Sequence, residues 1–384
     1  MRRAFAAVLI AAAGAGAALG IGSAAGLLGG STTETVVVRP SAEGTNTPAR
    51  VVIAGSASGF SPARIFAERS PGVVTVFAYF SGSGAQGSGF VISRDGTILT
   101  NAHVVTNAGE GTPVRKAGSV YVEFADHDRV PATVVGWDVF DDVAVLRVEP
   151  ARHHLQPLPL GRSASLVVGE PVAAIGSPLG NEDSIAVGIV SAVDRSIAAL
   201  TAKFQLVDAI QTDAPIAHGS SGGPLLDGRG RVIGINAQIR SDSGGPAGIG
   251  FAVPIDAVKR SLRQLLATGH VAYAYAGIQT EDLTPSLAHR LGLSTPFGAL
   301  VDAVNGGGPA EKAGIQGGKG HIAFEGQTVV TGGDVVVAVN GAPVRSADDL
   351  VRIVTNTLEP DRTAVFTVVR AGQRQSIAVR LVAR

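Results

Sequence analysis

A serine in a glycine-rich stretch is the first feature with residue types suited to covalent chemistry. The segment from Ile210 to Pro224 reads Ile-Gln-Thr-Asp-Ala-Pro-Ile-Ala-His-Gly-Ser-Ser-Gly-Gly-Pro. Glycine adopts backbone conformations that are closed to other residues, so this segment can form a tight loop. Such a loop can direct one hydroxyl and two backbone N–H groups at the same point, which is the geometry of a nucleophile with its oxyanion hole. The alternative is an ordinary Gly/Ser turn.

A serine nucleophile needs a base, and histidine ionises in the right range. Among eight histidines, His103 directly follows a predicted strand, where a side chain can be held rigidly. His218 precedes the glycine of the serine loop and is too close in sequence to Ser221 to be an obvious base. The other six lie in polar or loop contexts: His127, His153, His154, His270, His289 and His321.

A histidine base in turn needs a carboxylate that fixes its tautomer. Asp138, Asp141 and Asp142 are the candidates. Asp142 directly precedes the apolar run Val143–Leu146, which gives it a well-defined position. Strand alternation would point Asp141 to the opposite face.

Composition narrows the class of protein. The chain has 384 residues, enough for two or three domains, and its 51 glycines and 20 prolines are typical of all-β folds. Acidic and basic residues balance at 31 each, so we expect no nucleic-acid partner. The absence of cysteine excludes disulfides, thiol catalysis and cysteine-ligated metal. We expect no metal and no cofactor.

Short apolar runs separated by turns predict a mainly β fold with two groups of about six strands, as two barrels or sandwiches. The first group lies at 73–80, 90–93, 98–100, 120–124, 132–136 and 143–148, and the second at 170–176, 185–193, 205–211, 224–226, 232–237 and 250–253. An amphipathic helix is predicted over Pro254–Thr268, ended by Gly269. A third unit that mixes strands with two short helices follows from about His270 to Arg384. These patterns predict a first folded domain over residues 62–269 and a second over 270–384.

The N-terminal region predicts export. Two arginines precede an uncharged run from Ala4 to Leu28, which is long enough to span a membrane. We therefore expect a cell-membrane protein with a single N-terminal span over residues 1–28, whose remaining domains are extracytoplasmic. The alternative is a cleaved signal peptide and a secreted or periplasmic protein, which the small residues around Ser23 favour. Residues 29–61 are predicted to be a flexible linker.

Five segments resemble the HtrA/Deg family of trypsin-fold serine proteases in the order of that family. They are 87–105 around His103, 136–146 around Asp142, 176–180, 188–192, and 210–224 around Ser221. The resemblance implies two six-stranded β-barrels of the trypsin-like fold. It implies His103 as general base, Asp142 as its orienting acid and Ser221 as nucleophile, with an oxyanion hole formed by the N–H groups of Gly219 and Ser221. The family's substrate pocket corresponds to Pro215, Ile216 and Ala237, which implies cleavage after small or medium aliphatic residues.

The third unit resembles the PDZ domain, a small α+β domain, of the same family. Tyr275, Ala276, Gly277 and Ile278 are similar to its carboxylate-binding loop. The resemblance implies that a peptide C-terminus adds as a strand beside Ile278 and rests on a helix that carries Leu350 and Val354. The alternative is a small α+β domain that docks on the protease without binding peptide.

Some residues depart from the family pattern. Ser220 and Ala217 replace asparagines that are common there, and residues 107–119 and 321–330 look like insertions. The segment Ser81–Gln86 is read as a short loop, which favours an open homotrimer by resemblance. The resemblance implies an endopeptidase for unfolded or misfolded proteins. The alternative function, motivated by Ser220 and Ala217, is a proteolytically weak or silent peptide-binding chaperone or adaptor.

Overall fold

The structure is a computed structural model that describes residues 59–384 apart from 109–112, 153–154, 178–183, 199–200, 202–204, 217–218 and 238–248. The predicted anchor at 1–28, and all but the last three residues of the predicted linker at 29–61, lie outside the described residues. Within the part of the chain that is described, no helix has the length and apolar character needed to cross a membrane.

Six antiparallel strands close the first barrel in the order β1-β2-β3-β6-β5-β4. They are β1 (Val73–Phe80), β2 (Ser83–Val91), β3 (Thr97–Thr100), β4 (Ser119–Glu123), β5 (Arg129–Asp138) and β6 (Val143–Arg147). Alternate aliphatic side chains such as Val76, Ile98 and Leu146 are buried inside the barrel, which is the arrangement that period-two sequences produce.

One prediction in this barrel was wrong. The segment Ser81–Gln86 was read as a loop, but strand β2 begins at Ser83 and pairs in full register with β1. Only Ser81 and Gly82 form the turn, and Gly82 has a φ of 91°. The glycines and other small residues of β2 have little β propensity. Strand β2 therefore forms because it pairs with the apolar strand β1.

The second barrel also closes from six strands, in the order β10-β11-β12-β9-β8-β7. They are β7 (Pro171–Gly176), β8 (Ser184–Ala198), β9 (Gln205–Thr212), β10 (Pro224–Asp227), β11 (Val232–Ala237) and β12 (Gly250–Pro254). The prediction of two six-stranded barrels is therefore confirmed. Strand β8 runs five residues beyond its predicted end because three register shifts let it follow β9 around the barrel.

In the described part of the chain, three α-helices accompany the barrels: α1 (Pro62–Arg69), α2 (Ala102–Val105) and α3 (Ile255–Thr268). The predicted helix α3 ends at Gly269, which has a left-handed φ of 79°. Its buried residues are Ile255, Val258, Ser261 and Leu265, whereas Leu266 is 46% exposed. The Ser261 hydroxyl on this face donates a hydrogen bond to the buried carboxylate of Asp138.

The C-terminal unit is a small α+β domain, as predicted. Its strands are β13 (Ala274–Tyr275), β14 (Ile278–Leu283), β15 (Gly298–Val304), β16 (Gly320–Phe324), β17 (Gln327–Thr331), β18 (Val335–Val339), β19 (Ala342–Pro343), β20 (Thr363–Arg370), β21 (Gln373–Arg380) and β22 (Val382–Ala383). Its helices are α4 (Pro285–Leu291), α5 (Pro309–Ala313) and α6 (Ala347–Thr357). The main sheet has the order β14-β15-β18-β20-β21, so β14 is an edge strand. Strands β16 and β17 form a separate hairpin where the sequence indicated an insertion.

Candidate active site

His103 and Asp142 are in direct contact at the rim of the first barrel. The pairing of β3 with β6 sets Thr100 opposite Ala144, so the residues that flank these strands meet. The His103 Nδ1 lies 2.7 Å from Asp142 Oδ2, and the His103 backbone N–H donates to Asp142 Oδ1 over 3.0 Å. The Asn101 side-chain amide donates to the Asp142 carbonyl over 2.8 Å. Both carboxylate oxygens of Asp142 therefore fix the same histidine.

The electrostatic surroundings favour the charged form of His103. Burial alone would lower the pKa of His103, but the charge of Asp142 and its hydrogen bond to the ring outweigh burial and raise the pKa above its usual value. Asp142 is almost fully buried and has a left-handed φ of 51°. Aspartate tolerates that conformation better than most residues.

The other two carboxylates bind different partners. Asp138 accepts hydrogen bonds from the hydroxyls of Ser261 and Tyr273 over 2.7 and 2.5 Å. Asp141 forms a 2.6 Å ion pair with Arg260. Of the three candidate carboxylates, Asp142 is the one that contacts His103.

The loop that carries Ser221 is held against strand β2 of the first barrel. The Ser88 hydroxyl donates to the Gly219 carbonyl over 2.6 Å, and the Ser88 backbone N–H donates to the Ser221 carbonyl over 2.8 Å. The Ser177 N–H donates to the Ser88 hydroxyl oxygen over 2.9 Å. Ser88 is fully buried, so it anchors the serine loop to the barrel that carries His103 and Asp142.

Glycine is required where this loop approaches its neighbours. At Gly222, with a φ of 89°, a Cβ atom would lie 2.1 Å from the Ser88 carbonyl oxygen. At Gly223 a Cβ atom would lie 2.3 Å from the Ile175 carbonyl oxygen. Both distances are far shorter than a van der Waals contact. A larger residue would therefore push the loop away from β2 at position 222 or from β7 at position 223.

Ser221 itself is buried, and its Oγ atom forms no hydrogen bond in the described structure. In the same part of the chain, no hydrogen bond uses the N–H groups of Gly219 or Ser221, whereas those of Gly222 and Gly223 bind the carbonyls of Asn236 and Ser220. The loop thus holds two unused donors beside an unbound hydroxyl.

The six residues predicted to bind a peptide in the C-terminal unit line one apolar cleft of about 180 Å³. They are Tyr275, Ala276, Gly277, Ile278, Leu350 and Val354. The carbonyls of Ala276 and Gly277 accept hydrogen bonds from Ala310 and Asn305, which fixes the loop. Within the described residues, the N–H groups of Ala276 and Gly277 donate no hydrogen bond.

The sequence matches two family models, a trypsin-like peptidase domain over residues 87–235 and a PDZ domain over residues 274–381. The solved structure of the HtrA-type protease AlgW with a tripeptide superposes with a TM-score of 0.70 at 31% identity, over 84% of this chain and 97% of that one. The chain belongs to the family of HtrA-type serine proteases.

Curated relatives of this HtrA-type chain are longer than it is. A probable periplasmic serine endoprotease DegP-like from Hahella chejuensis is 40% identical over 297 residues, which is 77% of this chain and 57% of the relative. The chloroplastic Protease Do-like 1 of Arabidopsis thaliana is 39% identical over 77% of this chain and 63% of its own length. The chain thus spans about six-tenths of the length of these relatives.

The structure describes the predicted substrate pocket of this HtrA-type chain only in part. The Ile216 side chain lies against Gly250, where an added Cβ atom would come within 2.8 Å of Ile216 Cδ1. Ala237 pairs with Phe251, the residue after Gly250, so Ile216 and Ala237 lie at the same end of β11 and β12. Pro215 is exposed. Residues 217–218 and 238–248 lie outside the described residues.

Sequence reasoning missed the role of Ser88. The residue lies in a segment that resembles the family, but the prediction there concerned His103. A polar residue between two glycines of a strand was the available signal. Its partners are more than eighty positions away in sequence, so only the packing of the two barrels reveals them.

Proposed function

We propose that this chain is an extracytoplasmic serine endopeptidase with a peptide-binding PDZ domain. The contact between His103 and Asp142, beside a serine loop with two unused N–H donors, is the observation that carries the proposal. Membership of the HtrA-type family supports the same reaction. The extracytoplasmic location is supported by the relative from Hahella chejuensis, which is named as periplasmic.

The proposed reaction passes through an acyl-enzyme. The Nε2 atom of His103 accepts the proton of the Ser221 hydroxyl as Oγ attacks the carbonyl carbon of the scissile bond. The N–H groups of Gly219 and Ser221 donate hydrogen bonds to the resulting oxyanion. His103 then gives its proton to the leaving amine as the C–N bond breaks. A water molecule then gives a proton to His103 as its oxygen attacks the ester carbonyl carbon. His103 returns this proton to Ser221 Oγ as the ester C–O bond breaks, which releases the carboxylic acid and the free Ser221 hydroxyl.

Each other residue at the site has a positioning task in this scheme. Asp142 holds the Nδ1–H tautomer of His103, which leaves Nε2 free to accept a proton. Ser88 holds the carbonyls that flank the oxyanion hole. Because Ser221 Oγ forms no hydrogen bond in this structure, the first step requires a small movement of the loop or of the imidazole.

The proposed substrates are unfolded or misfolded proteins, cut after small or medium aliphatic residues. This preference is supported by the apolar residues Ile216 and Ala237 at the expected pocket. The PDZ domain is proposed to receive peptide C-termini on the N–H groups of the loop from Tyr275 to Ile278, with the terminal side chain against Leu350 and Val354.

The decisive experiment compares degradation of unfolded casein by the full chain and by Ser221→Ala. Wild type is expected to produce peptides that end in aliphatic residues, and Ser221→Ala is expected to lose this activity by orders of magnitude. Equal degradation by both proteins would exclude Ser221 as nucleophile.

A second candidate function is a peptide-binding chaperone or adaptor with a silent protease fold. It is favoured by the unbound Ser221 hydroxyl and by Ser220, which replaces the family's usual asparagine. A fluorophosphonate probe separates the two functions, since it modifies only an activated serine. Labelling of Ser221 supports the peptidase, and its absence in the presence of PDZ-binding peptides supports the adaptor.

Assembly and anchoring are further parts of the proposal. We infer a homotrimer, to be tested by light scattering of the purified full chain. We infer a membrane anchor at Ala4–Leu28, supported by the length of that apolar run, with cleavage of the segment as the alternative. N-terminal sequencing of the protein from a membrane fraction decides between them. The proposed domain limits are 62–269 and 270–384, which limited proteolysis near Gly269 tests.

A further inference from the structure

The peptide cleft of the PDZ domain continues beyond its apolar part, and this extension carries a separate inference. The inference rests on the proposed peptide-binding function and adds to it a class of ligand. The first part, here called the apolar section, lies between the loop Tyr275–Ile278 and helix α6. A second part of about 800 Å³, here called the acidic section, follows along strand β14. Ile278, Thr280 and Val351 line both sections, so the cleft is continuous.

The hairpin of β16 and β17 forms the far wall of the acidic section. Phe324, Glu325 and Val329 of this hairpin line the acidic section opposite the start of helix α6. Val329 is buried with Leu283 and Leu287 in a shared apolar cluster. The hairpin is therefore packed onto the domain, and it lengthens the surface that a bound chain can contact.

Of the described residues that line the acidic section, four carry carboxylates and none is Lys, Arg or His. The four are Glu281, Asp282, Glu325 and Asp348. Glu281, Asp282 and Glu325 are exposed, and Asp348 is half-buried. Across the described residues, none of the four takes part in an ion pair, although Asp282 accepts the backbone N–H of Ala347 over 2.7 Å. The charge of this section is thus not neutralised within the domain.

The negative charge of the acidic section also affects the neighbouring carboxyl group of Asp302. Asp302 lies on β15 beside Glu281, and one of its carboxylate oxygens is buried without a hydrogen-bond partner. Burial and, to a smaller extent, the charge of Glu281 raise the pKa of Asp302 to about 6. A positive charge brought into the acidic section would reduce this repulsion.

The direction of a bound chain follows from the fold. Strand β14 is an edge strand, and the unused N–H groups of Ala276 and Gly277 lie just before its first residue. A peptide whose C-terminal carboxylate meets those N–H groups runs antiparallel to β14. At ~3.4 Å per residue, its fourth residue before the C-terminus reaches Asp282, and earlier residues reach the hairpin.

From this arrangement we propose that the cleft selects C-terminal peptides that carry lysine or arginine at the fourth to seventh residues before an apolar C-terminus. The apolar section binds the end of the ligand, and the acidic section binds its basic upstream residues. Surface ion pairs contribute little individually, so the selectivity comes from several pairs acting along one cleft and depends on salt.

Peptide binding to the full chain carrying Ser221→Ala tests this proposal. Three fluorescent decapeptides share an aliphatic C-terminal tripeptide and have lysines, glutamates or serines at the fourth to seventh residues before the C-terminus. The lysine peptide is expected to bind about fivefold more tightly than the glutamate peptide near ~50 mM salt, and the ratio should approach one near ~500 mM. Equal binding, or tighter binding of the glutamate peptide, overturns the proposal.

Substitutions in the acidic section test whether its carboxylates cause the preference for the lysine peptide. Glu281→Gln combined with Glu325→Gln removes two of the four carboxylates and should reduce the preference for lysine over glutamate from about fivefold to about twofold. The matched control is Glu359→Gln, which removes an exposed carboxylate paired with Arg362 outside the cleft, and it should keep the preference. An undiminished preference in the double variant overturns the assignment to this cleft. If no peptide binds, the peptide-binding function itself fails, whereas equal binding of all three overturns only the basic selectivity.

Discussion

The Ser88 hydroxyl donates a 2.6 Å hydrogen bond to the Gly219 carbonyl, which links a strand of the first barrel to the loop of the second that carries Ser221. The same hydroxyl oxygen accepts the Ser177 N–H. The two halves of the candidate active site are therefore joined through one buried side chain. Displacement of the loop relative to His103 would separate Ser221, the proposed nucleophile, from its proposed base.

Ser88→Ala is accordingly expected to lower kcat/KM about 10- to 100-fold, because the buried Ser177 N–H and the half-buried Gly219 carbonyl lose their hydrogen-bond partner, a loss worth ~1–3 kcal/mol. The acidic limb of the pH profile should not move, because His103 and Asp142 are untouched. Peptidase kinetics and the rate of fluorophosphonate labelling measure the loss. Ser83→Ala, an exposed position on the same strand, is the control. An unchanged kcat/KM in Ser88→Ala would show that the loop holds its place without this contact.

Asp142→Asn is expected to reduce kcat by about 10⁴, the size of the loss when the orienting acid of a trypsin-like triad is removed. Asparagine tolerates the left-handed φ of 51° at this position, so the backbone should remain in place. Circular dichroism and single-turnover kinetics separate folding from activity. Asp126→Asn, at an exposed turn, is the control, and a loss of less than tenfold in Asp142→Asn would contradict the assigned role.

The raised pKa of His103 predicts the pH dependence. His103 must be neutral to accept a proton, so kcat/KM should fall as pH decreases through a pKa above the ordinary 6.5. The folding stability changes with pH in the opposite direction to kcat/KM. The contribution of protonated His103 is fully present below pH 6.5 and is lost as pH rises through the folded pKa. Asp142→Asn should move the acidic limb to lower pH, and a limb already at or below 6.5 in wild type would contradict this reading.

Alternation of apolar residues was sufficient to predict two groups of about six strands, since that pattern is local. The choice of barrels over sandwiches came from the resemblance to the family. The first part of strand β2 was not predicted, because Ser83–Gly89 is mostly glycine and other small residues. This segment is a strand because it pairs with β1. Alternation placed Asp141 and Asp142 on opposite faces, but it did not show which face meets His103. The left-handed backbone at Asp142, which sets where its carboxylate points, has no signature in the pattern of apolar residues.

A contact between the two domains gives a further prediction. On helix α6, the Arg352 guanidinium pairs with Asp208 of β9, and the Asn356 amide donates to the same carboxylate over 2.9 Å. Burial raises the pKa of Asp208, and Arg352 opposes that shift. Arg352→Ala with Asn356→Ala should loosen the docking, at a cost of ~1 kcal/mol or less because the pair is partly exposed.

Limited proteolysis of the segment after Gly269 measures this loosening as faster cleavage. Arg362→Ala, which removes an exposed pair with Glu359, should leave the cleavage rate unchanged. Equal rates in the wild type and in the double variant would show that other contacts hold the domain.

The last prediction concerns Tyr273, whose hydroxyl donates to the buried Asp138 carboxylate. Burial, and then the charge of Asp141, raise the pKa of Asp138 to about 6, while the hydroxyls of Tyr273 and Ser261 lower it. Because the folded pKa exceeds the unfolded value of 3.8, the contribution of Asp138 to stability is fully present below pH 3.8 and is lost as pH rises through about 6. Tyr273→Phe removes a donor to the charged form and should raise this pKa further.

Tyr273→Phe should therefore destabilise the fold by ~1–3 kcal/mol at pH 8 and by less near pH 5, where Asp138 is protonated in the folded state. Urea unfolding at the two pH values measures the difference. The control is Tyr79→Phe, since Tyr79 is 43% exposed. An equal loss at both pH values would mean that the Tyr273 hydroxyl stabilises the fold independently of the charge on Asp138.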